Sequence, residues 1–578
     1  MPVTYADFDP KPLFREHGRL IGDGSVGGKA HGLAFGYVSI TGSPMAPGVE
    51  LPDINFVITT EPYCDFVEDN GIGELLEELT STGDIGDDEF PATLYHRMCQ
   101  AFREGTVRPS LLRDAEQILE EIGDVPLAIR SSSILEDSQR LSFAGKYGTC
   151  FSANTGGHER RRDLLISAVK DVWASLYNPA ARAYRTKHGH TDSDEAMAVV
   201  VQPVMGRAHG DLYYPEIAGT AFSKVYRRPT PRIRKEDGVT RFCFGLGTRT
   251  VDRQKAHLSY LSHPALQPHG NLPADVALMS QNEFDYIDRR SGSFMTGLLA
   301  DHLSFILREH KLASSFVEIY ADNVLYWSGS EQAKNGRPIF SFSNFPRTHP
   351  KFFSVIRDLC AFLEDKMGRP ADMEYTYDTE EKKLTLLQLR PLASYEEMAK
   401  VDLPDVPESR IILKGNRMVS NGKLEHVHHL LFVDPDLYGK DTTFHEVARE
   451  IGRVNGKLAG TNYILVGPGR WGSTNPKLGV PVRYNEICNC GCLVEVGILE
   501  SDYAPELSYG THFFLDLDED GILYLPVFSG MQENVFNRPW LDGAFCEIKQ
   551  HPAVRHYIGD FSVFMDGERE LGIVIAND

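Results

Sequence analysis

"AIRSSSILEDSQRLSFAGKYGT", running from Ala128 to Thr149, is the stretch that decides how this chain is read. A short apolar run, "PLAI", delivers Arg130 at what reads as the end of a strand. Three serines, two acids and a Ser-Phe-Ala-Gly cluster follow. Arginine is a permanent cation whose planar fork fits phosphate oxygens. Small hydroxyl-bearing residues and glycines after it would let a loop close over a polyphosphate. A mobile surface loop accounts for the same composition.

Two other stretches carry related chemistry. "GDGSVGGKAHGLAF" (Gly22 to Phe35) joins a glycine turn to Lys29 and then to an apolar helical run. Glycines let backbone N–H groups approach a phosphate, and lysine adds a point charge. No Ser or Thr follows the lysine, so this is not Walker spacing, and a plain glycine turn before a helix is the competing reading. "ADMEYTYDTEEKKLTLLQLRP" (Ala371 to Pro391) reads as a hairpin turning at "DTEEKK". Glu374 falls on its first strand, Gln388 and Arg390 on its second, the last two facing one side. A carboxylate and an amide oxygen are hard ligands suited to Mg²⁺, and an adjacent arginine could hold phosphates sharing that metal. A solvated polar strand face would look the same.

The order of these stretches resembles the ATP-binding domain of phosphoenolpyruvate synthase and pyruvate phosphate dikinase. The chain shows "VGGKAHGL", "INFVITT", "AIRSSSILEDSQRLSFAGK", "VVVQPVMG", "FGLG" and "DMEYTYD…LTLLQLRP" in succession, so the resemblance covers about residues 15–395. It implies an α/β (mixed α+β) chain with an ATP-grasp-like nucleotide-binding domain that takes ATP and Mg²⁺. Lys29, Arg130 and Arg390 then correspond to phosphate-binding cations, with Arg130 and Arg390 also catalytic. Glu374 and Gln388 correspond to metal ligands, and Gln202 to the adenine-side wall. The loop holding Ser142, Gly145 and Thr149 corresponds to a lid over the triphosphate. One departure is "GDLYYPEIAGTAFSKVYRRP" (Gly210 to Pro229), longer and more aromatic than the family's equivalent.

Bulk properties agree with a large folded protein. At 578 residues the chain is too long for one core, and about 150 residues per domain gives roughly three to four units. A hydrophobic content of 42% with 24% charged residues argues against disorder. The net charge of −22, with no long basic runs, makes nucleic acid and acidic lipid poor partners. Nine cysteines at low density fit a reducing compartment. The N-terminal "MPVTYADFDPKPLFREHGRL" lacks a signal-peptide core, and no apolar run reaches the roughly 18–20 residues of a membrane span. The expectation is a cytoplasmic enzyme and a homo-oligomer, with no nucleic-acid or membrane partner.

"VDLPDVPESR" (Val401 to Arg410) is acidic and proline-containing and reads as a linker. The expected organisation is an N-terminal subdomain (1–205), a second subdomain with the metal-binding hairpin (206–400), the linker (401–410) and a smaller α/β swivelling-type domain (411–578). In the resembled enzymes such a domain carries a phosphohistidine. Here "GNRMVSNGKLEHV" (Gly415 to Val427) is similar to its opening, and "SYGTHFF" (Ser508 to Phe514) loosely resembles its histidine motif, placing His512 after Gly510 and Thr511. A histidine packed between aromatics is the alternative. "DGILYLPVFSG" (Asp520 to Gly530) resembles the strand that follows.

Three features lie outside the resemblance. "ILVGPGRWGSTNPKLGVP" (Ile464 to Pro481) offers glycine amides, the Arg470 fork and the flat Trp471, either for a phosphorylated or aromatic acceptor or as a structural turn. "CNCGC" (Cys488 to Cys492) has spacing too tight for ordinary zinc pairs, and alternation places its sulfurs on one strand face as buried cysteines. "EHVHHL" (Glu425 to Leu430) reads as strand histidines. The pyruvate-binding barrel of the resembled enzymes has no counterpart, so an incomplete relative is expected. The functional expectation is an ATP- and Mg²⁺-dependent phosphotransferase that passes a phosphoryl group through His512, releasing AMP and phosphate. Its acceptor would be a small molecule or a partner subunit. Direct ATP-grasp transfer without the histidine, and a non-catalytic ATP-binding regulatory subunit, are the alternatives.

Overall fold

The structure is a computed structural model. It describes residues 4–577 apart from 53–54, 82–88, 137–146, 188–189, 192–194, 226–231, 252–254, 267–271, 331–334, 393–400, 418, 420, 441–442, 474–475, 484–485, 499–516, 518–520 and 568. His512, Ser142 and Gly145 therefore lie outside the described residues.

Four short, mostly buried strands carry the first half: β1 (Leu20–Ile21), β2 (Val49–Glu50), β3 (Phe56–Ile58) and β4 (Leu127–Ser133). They are followed by β5 (Thr149–Ser152) and β6 (Met197–Pro203). Five of these form one sheet in the order β1-β3-β6-β4-β5. "FVI" and "AVVV" are buried on both faces because helices cover the sheet. The Pro109–Ile122 helix starts on a proline, buries Leu111, Ala115, Ile118, Leu119 and Ile122 along one stripe, and stops at Gly123, whose φ of 72° it alone adopts without strain. The His158–Ser175 helix buries Leu165, Val169 and Val172, the spacing legible in the sequence. Trp173 fills the space between these helices and Phe66 and Tyr63.

The second half of the family-like region adds β7 (Arg207–His209), β8 (Leu212–Tyr214), β9 (Ile217–Phe222), β10 (Val239–Phe244), β11 (His257–Tyr260), β12 (Glu283–Asp288) and β13 (Ser293–Leu298). Then come β14 (Val317–Ala321), β15 (Val324–Trp327), β16 (Arg337–Phe340), β17 (Ala371–Asp378) and β18 (Lys383–Pro391). Its main sheet runs β11-β10-β9-β17-β18-β2. The Pro350–Met367 helix lies behind it, burying Phe352, Phe353, Ile356, Leu359 and Leu363 among the core aromatics. The aromatic Gly210–Pro229 region supplies Tyr214, whose hydroxyl meets His310 Nε2 at 2.9 Å while His310 Nδ1 meets Glu216 Oε1 at 2.7 Å. These polar groups are buried because each is satisfied.

The two subdomains are not separate in sequence. Val49 and Glu50 pair in parallel with Leu384 and Thr385 of the second sheet, and Tyr5, Phe35 and Ile40 belong to the second sheet's core. The early segment buries apolar side chains there that its own sheet does not cover, so residues 1–205 do not form a closed unit.

Residues 401–410 pack rather than hang free: Val401 is buried, and Leu403 and Val406 rest on Ile411, Ile573 and Ile575. Beyond them are β19 (Ile411–Gly415), β20 (Gly422–Val433), β21 (Tyr463–Pro468), β22 (Cys490–Ile498), β23 (Leu523–Ser529), β24 (Val535–Phe536), β25 (Glu547–Ile548), β26 (Val554–Asp566) and β27 (Leu571–Ala576). They make one nine-stranded sheet, β23-β22-β21-β20-β26-β27-β19-β24, with β25 on β26. β20 to β23 are parallel and the rest antiparallel. The ends approach each other: a Cβ on Gly415 of β19 would sit 2.2 Å from Pro526 O of β23, so the sheet curls almost into a barrel.

Cys488, Cys490 and Cys492 are buried, as the sequence reading has it, but their placement on one strand face needs correction. Tyr463 pairs Cys490 but Ile464 pairs Cys492, a bulge at Gly491. Cys490 and Cys492 therefore enter opposite cores, and Cys488 packs into the core of the helical first lobe. One extra residue reverses the side-chain alternation that simple spacing assumes.

Candidate functional site

The two sheets face each other across a cleft. β4, β5 and β6 form one wall and β9, β17 and β18 the other, enclosing about 300 Å³. Lys29, Arg130, Thr149, Gln202, Glu374, Gln388 and Arg390 all line it, although they come from six stretches of chain.

Serines build the wall on the Arg130 side, and here the structure differs from the loop expectation. Ser131, Ser132 and Ser133 belong to β4 and are buried. Ser131 Oγ accepts from Lys29 Nζ at 3.0 Å. Ser132 Oγ donates to Val26 O at 2.8 Å and accepts from Ala30 N at 3.1 Å, clasping the start of the Gly27–Ile40 helix. Ser133 Oγ meets Glu195 Oε2 at 3.2 Å and accepts from Glu136 N at 3.1 Å. Hydroxyls with such partners are at home inside a protein, so the serines fix the wall instead of forming a lid. The remainder of the proposed lid, including Ser142 and Gly145, lies outside the described residues. Thr149 opens β5 and is exposed at the cleft.

Charges in the cleft are paired across its walls. Lys29 is ion-paired with the buried Glu136. Arg130 Nη2 donates to Glu374 Oε2 and to Gln388 Oε1, each at 2.5 Å, and Nη1 reaches Gln202 Oε1 at 3.5 Å. Arg390 Nε donates to Asp372 Oδ2 at 2.6 Å, with both side chains buried. Such buried pairs form only where the partners satisfy one another. Below them Glu195 accepts from Leu135 N at 3.1 Å and from Tyr147 Oη at 2.9 Å. Burial nonetheless pushes its carboxyl above the ordinary range, since desolvation outweighs those bonds.

Glu136 and Asp372 are the site residues that the motif reading passed over. Both stood in quoted motifs. Asp372 shares a strand face with Glu374 two positions on, a signal that alternation could have exposed. Gln202 sits with Arg130 and Leu387 O, on the cation side of the cleft.

Glu374 and Gln388 are directly paired across β17 and β18, so their oxygens converge. Both oxygens already accept from one cation, Arg130, which is the donor chemistry a hard divalent ion requires. A carboxylate and an amide oxygen side by side thus fit Mg²⁺. A polyanion entering this cleft would exchange with the acids for Lys29, Arg130 and Arg390, and Glu374 would then be released toward a metal.

Two facing sheets with cations, acids and amides on their inner faces define an ATP-grasp-like nucleotide-binding protein. The chain belongs to the family of the pyruvate phosphate dikinase AMP/ATP-binding domain, matched over residues 23–409. It is similar to the phosphoenolpyruvate synthase of Aeropyrum pernix, 27% identical over 68% of this chain and 44% of that protein. The Escherichia coli phosphoenolpyruvate synthase is 30% identical over 63% of this chain and 40% of its own length. An uncharacterized phosphotransferase of Bacillus subtilis is 23% identical over 61% of this chain and 32% of its own. The chain thus spans less than half the length of these relatives. Among the described residues no helix is long and apolar enough to cross a membrane.

Proposed function

We propose that the chain is an ATP- and Mg²⁺-dependent phosphotransferase of the dikinase type. The observation that carries this reading is the meeting of Lys29, Arg130, Glu374, Gln388 and Arg390 in one cleft. In this reading Lys29, Arg130 and Arg390 hold the phosphates. Arg130 and Arg390 also meet the charge that develops during transfer. Glu374 and Gln388 hold Mg²⁺, which neutralises phosphate charge when bound. Thr149 lies at the phosphate-side mouth and Gln202 orients Arg130.

His512 is the phosphoryl carrier in this proposal, on the strength of its sequence motif. Its neutral imidazole nitrogen attacks the β-phosphorus, a P–N bond forms, and the α–β bridging oxygen leaves with AMP. Water then removes the terminal phosphoryl group as phosphate, leaving the β-phosphoryl group on the histidine for the acceptor. The acceptor is a small molecule or is supplied by a partner subunit.

ATP labelled separately at its β and γ phosphates tests this. Acid-labile, base-stable β-label on the protein with release of AMP is the expected result, and His512→Ala removes the label. Full turnover by that variant points to direct transfer. Label from neither position, with nucleotide still bound, points to a binding subunit.

A further inference from the structure

Outside the cleft, the loop after β21 is closed on itself. Trp471 is buried, its N donates to Glu495 Oε1, and Gly469 N and Gly472 N donate to Val496 O and Val480 O. The surroundings of the Lys11–Glu16 helix are different. Between that helix, the Gly27–Ile40 helix and the segment after β2 lies a second cavity of about 140 Å³. Leu13, Phe14, Leu33, Ala34, Leu51 and Pro52 supply its apolar wall. Arg19 and Asn55 line it as well, and it shares no residue with the nucleotide cleft.

The chain leaves the Lys11–Glu16 helix by turning at Gly18, whose φ is 66°. Arg19 N then donates to Phe14 O at 2.8 Å, and Arg19 O accepts from Val57 N at 2.9 Å, so its backbone is pinned between the helix and β3. Its side chain is not pinned. Among the described residues the Arg19 guanidinium has no ion pair, and its Nε is buried with no hydrogen-bond partner. Asn55 is only 5% exposed. Its Nδ2 donates to Pro52 O at 2.8 Å, while Oδ1 is buried with no partner. Buried polar groups in folded proteins are nearly all bonded, so two open ones on a single cavity are an exception. A concave, mostly apolar wall with a few unsatisfied polar groups is the make-up of a small-molecule site.

We propose that this cavity is a second ligand site and takes a small apolar α-amino acid with a branched aliphatic side chain. Arg19 meets the carboxylate with its planar fork. Asn55 Oδ1 accepts from the ammonium group, and the hydrocarbon lies against the leucines, Phe14, Ala34 and Pro52. Size sets the class. An apolar void of about 150 Å³ holds a molecule the size of benzene, and pockets for drug-sized ligands begin at about 300 Å³, so a nucleotide is too large. Charge sets it too. Inorganic phosphate would face Asn55 Oδ1 with a second acceptor, and a simple amine would face Arg19 with a second cation.

Calorimetric titration of the full-length protein with L-leucine tests the site, beside 4-methylpentanoate, which lacks the amine, and isopentylamine, which lacks the carboxylate. Saturable leucine binding is expected, with each analogue weaker by about tenfold or more because it leaves Asn55 Oδ1 or Arg19 unmet. Arg19→Gln should lose about tenfold or more in leucine affinity, and Arg19→Lys, which keeps the charge without the fork, should lose less. Because the guanidinium has no partner to forfeit, Arg19→Gln should melt no lower than the parent, whereas an arginine with a structural role would lower the melting temperature. If Arg19→Gln does melt lower, Arg19→Lys decides: weakened leucine binding at the parental melting temperature upholds the site, and parental affinity overturns it. No leucine binding to the parent, equal binding of either analogue, or full displacement of leucine by a non-hydrolysable ATP analogue also overturns it.

Discussion

Gly27 shows how little freedom the cleft leaves at a single position. Its φ is +73°, and a Cβ there would lie 1.8 Å from Ser132 O. Gly27→Ala is expected to cost about 3 kcal/mol or more and to lower the melting temperature measurably, since both the backbone and the contact must give. Arg130→Ala should lower ATP turnover about 10²–10³-fold, read as kcat in a coupled assay of AMP release. Histidines supply a pH dependence. Burial, then Lys549 and His429, push the His556 pKa down to about 4 from 6.5, and burial lowers that of His429 as well. A folded-state pKa below the unfolded one means stability that is full above the unfolded value and is lost as pH falls toward the folded one. Chemical denaturation at pH 7.5 and at pH 5 should show this loss, and His556→Gln should shrink it. At this scale the cations were legible because they stand in ordered motifs. Glu136 was not, because its partner Lys29 is distant in sequence, and the buried serines were misread because Ser131 and Ser132 also bond to that distant helix start; Asp372 was open to the alternation of its strand but was passed over.

Strands and their registers decide which side chains meet. The β17–β18 hairpin was readable from its turn residues, and its register, which was not, delivers Glu374 opposite Gln388. Bulges were not readable. One after Glu374 and another at Gly491 shift the pairing, and only cross-strand partners reveal them. The second bulge separates cysteines that spacing alone would align. In β22, Glu495 is fully buried, accepting from Trp471 N at 3.1 Å and Tyr524 Oη at 2.7 Å. Glu495→Ala strands both donors, so a loss of about 2–4 kcal/mol is expected, seen as a lower denaturation midpoint. A variant as stable as the parent would mean that the Arg470 loop is held by other contacts.

As a whole, the molecule is tied together more closely than its order of domains suggests. The C-terminal sheet reaches the helical lobe through Cys488. Sequence boundaries cannot show this, because docking depends on surfaces assembled from several segments. Cys488→Asp places a charge in an apolar core and should loosen the docking. Faster tryptic cleavage near Arg410 than in the parent protein is the expected readout.

The Gly27–Ile40 helix bears on both walls of the cleft at once. Its first turn is clasped by Ser132, while a Cβ on Gly32 would fall 1.8 Å from Leu389 O of β18. It acts as a strut wedged between the jaws, setting their gape when the chain folds. With such a vice, neither jaw can shift without pressing on the strut that the other also holds.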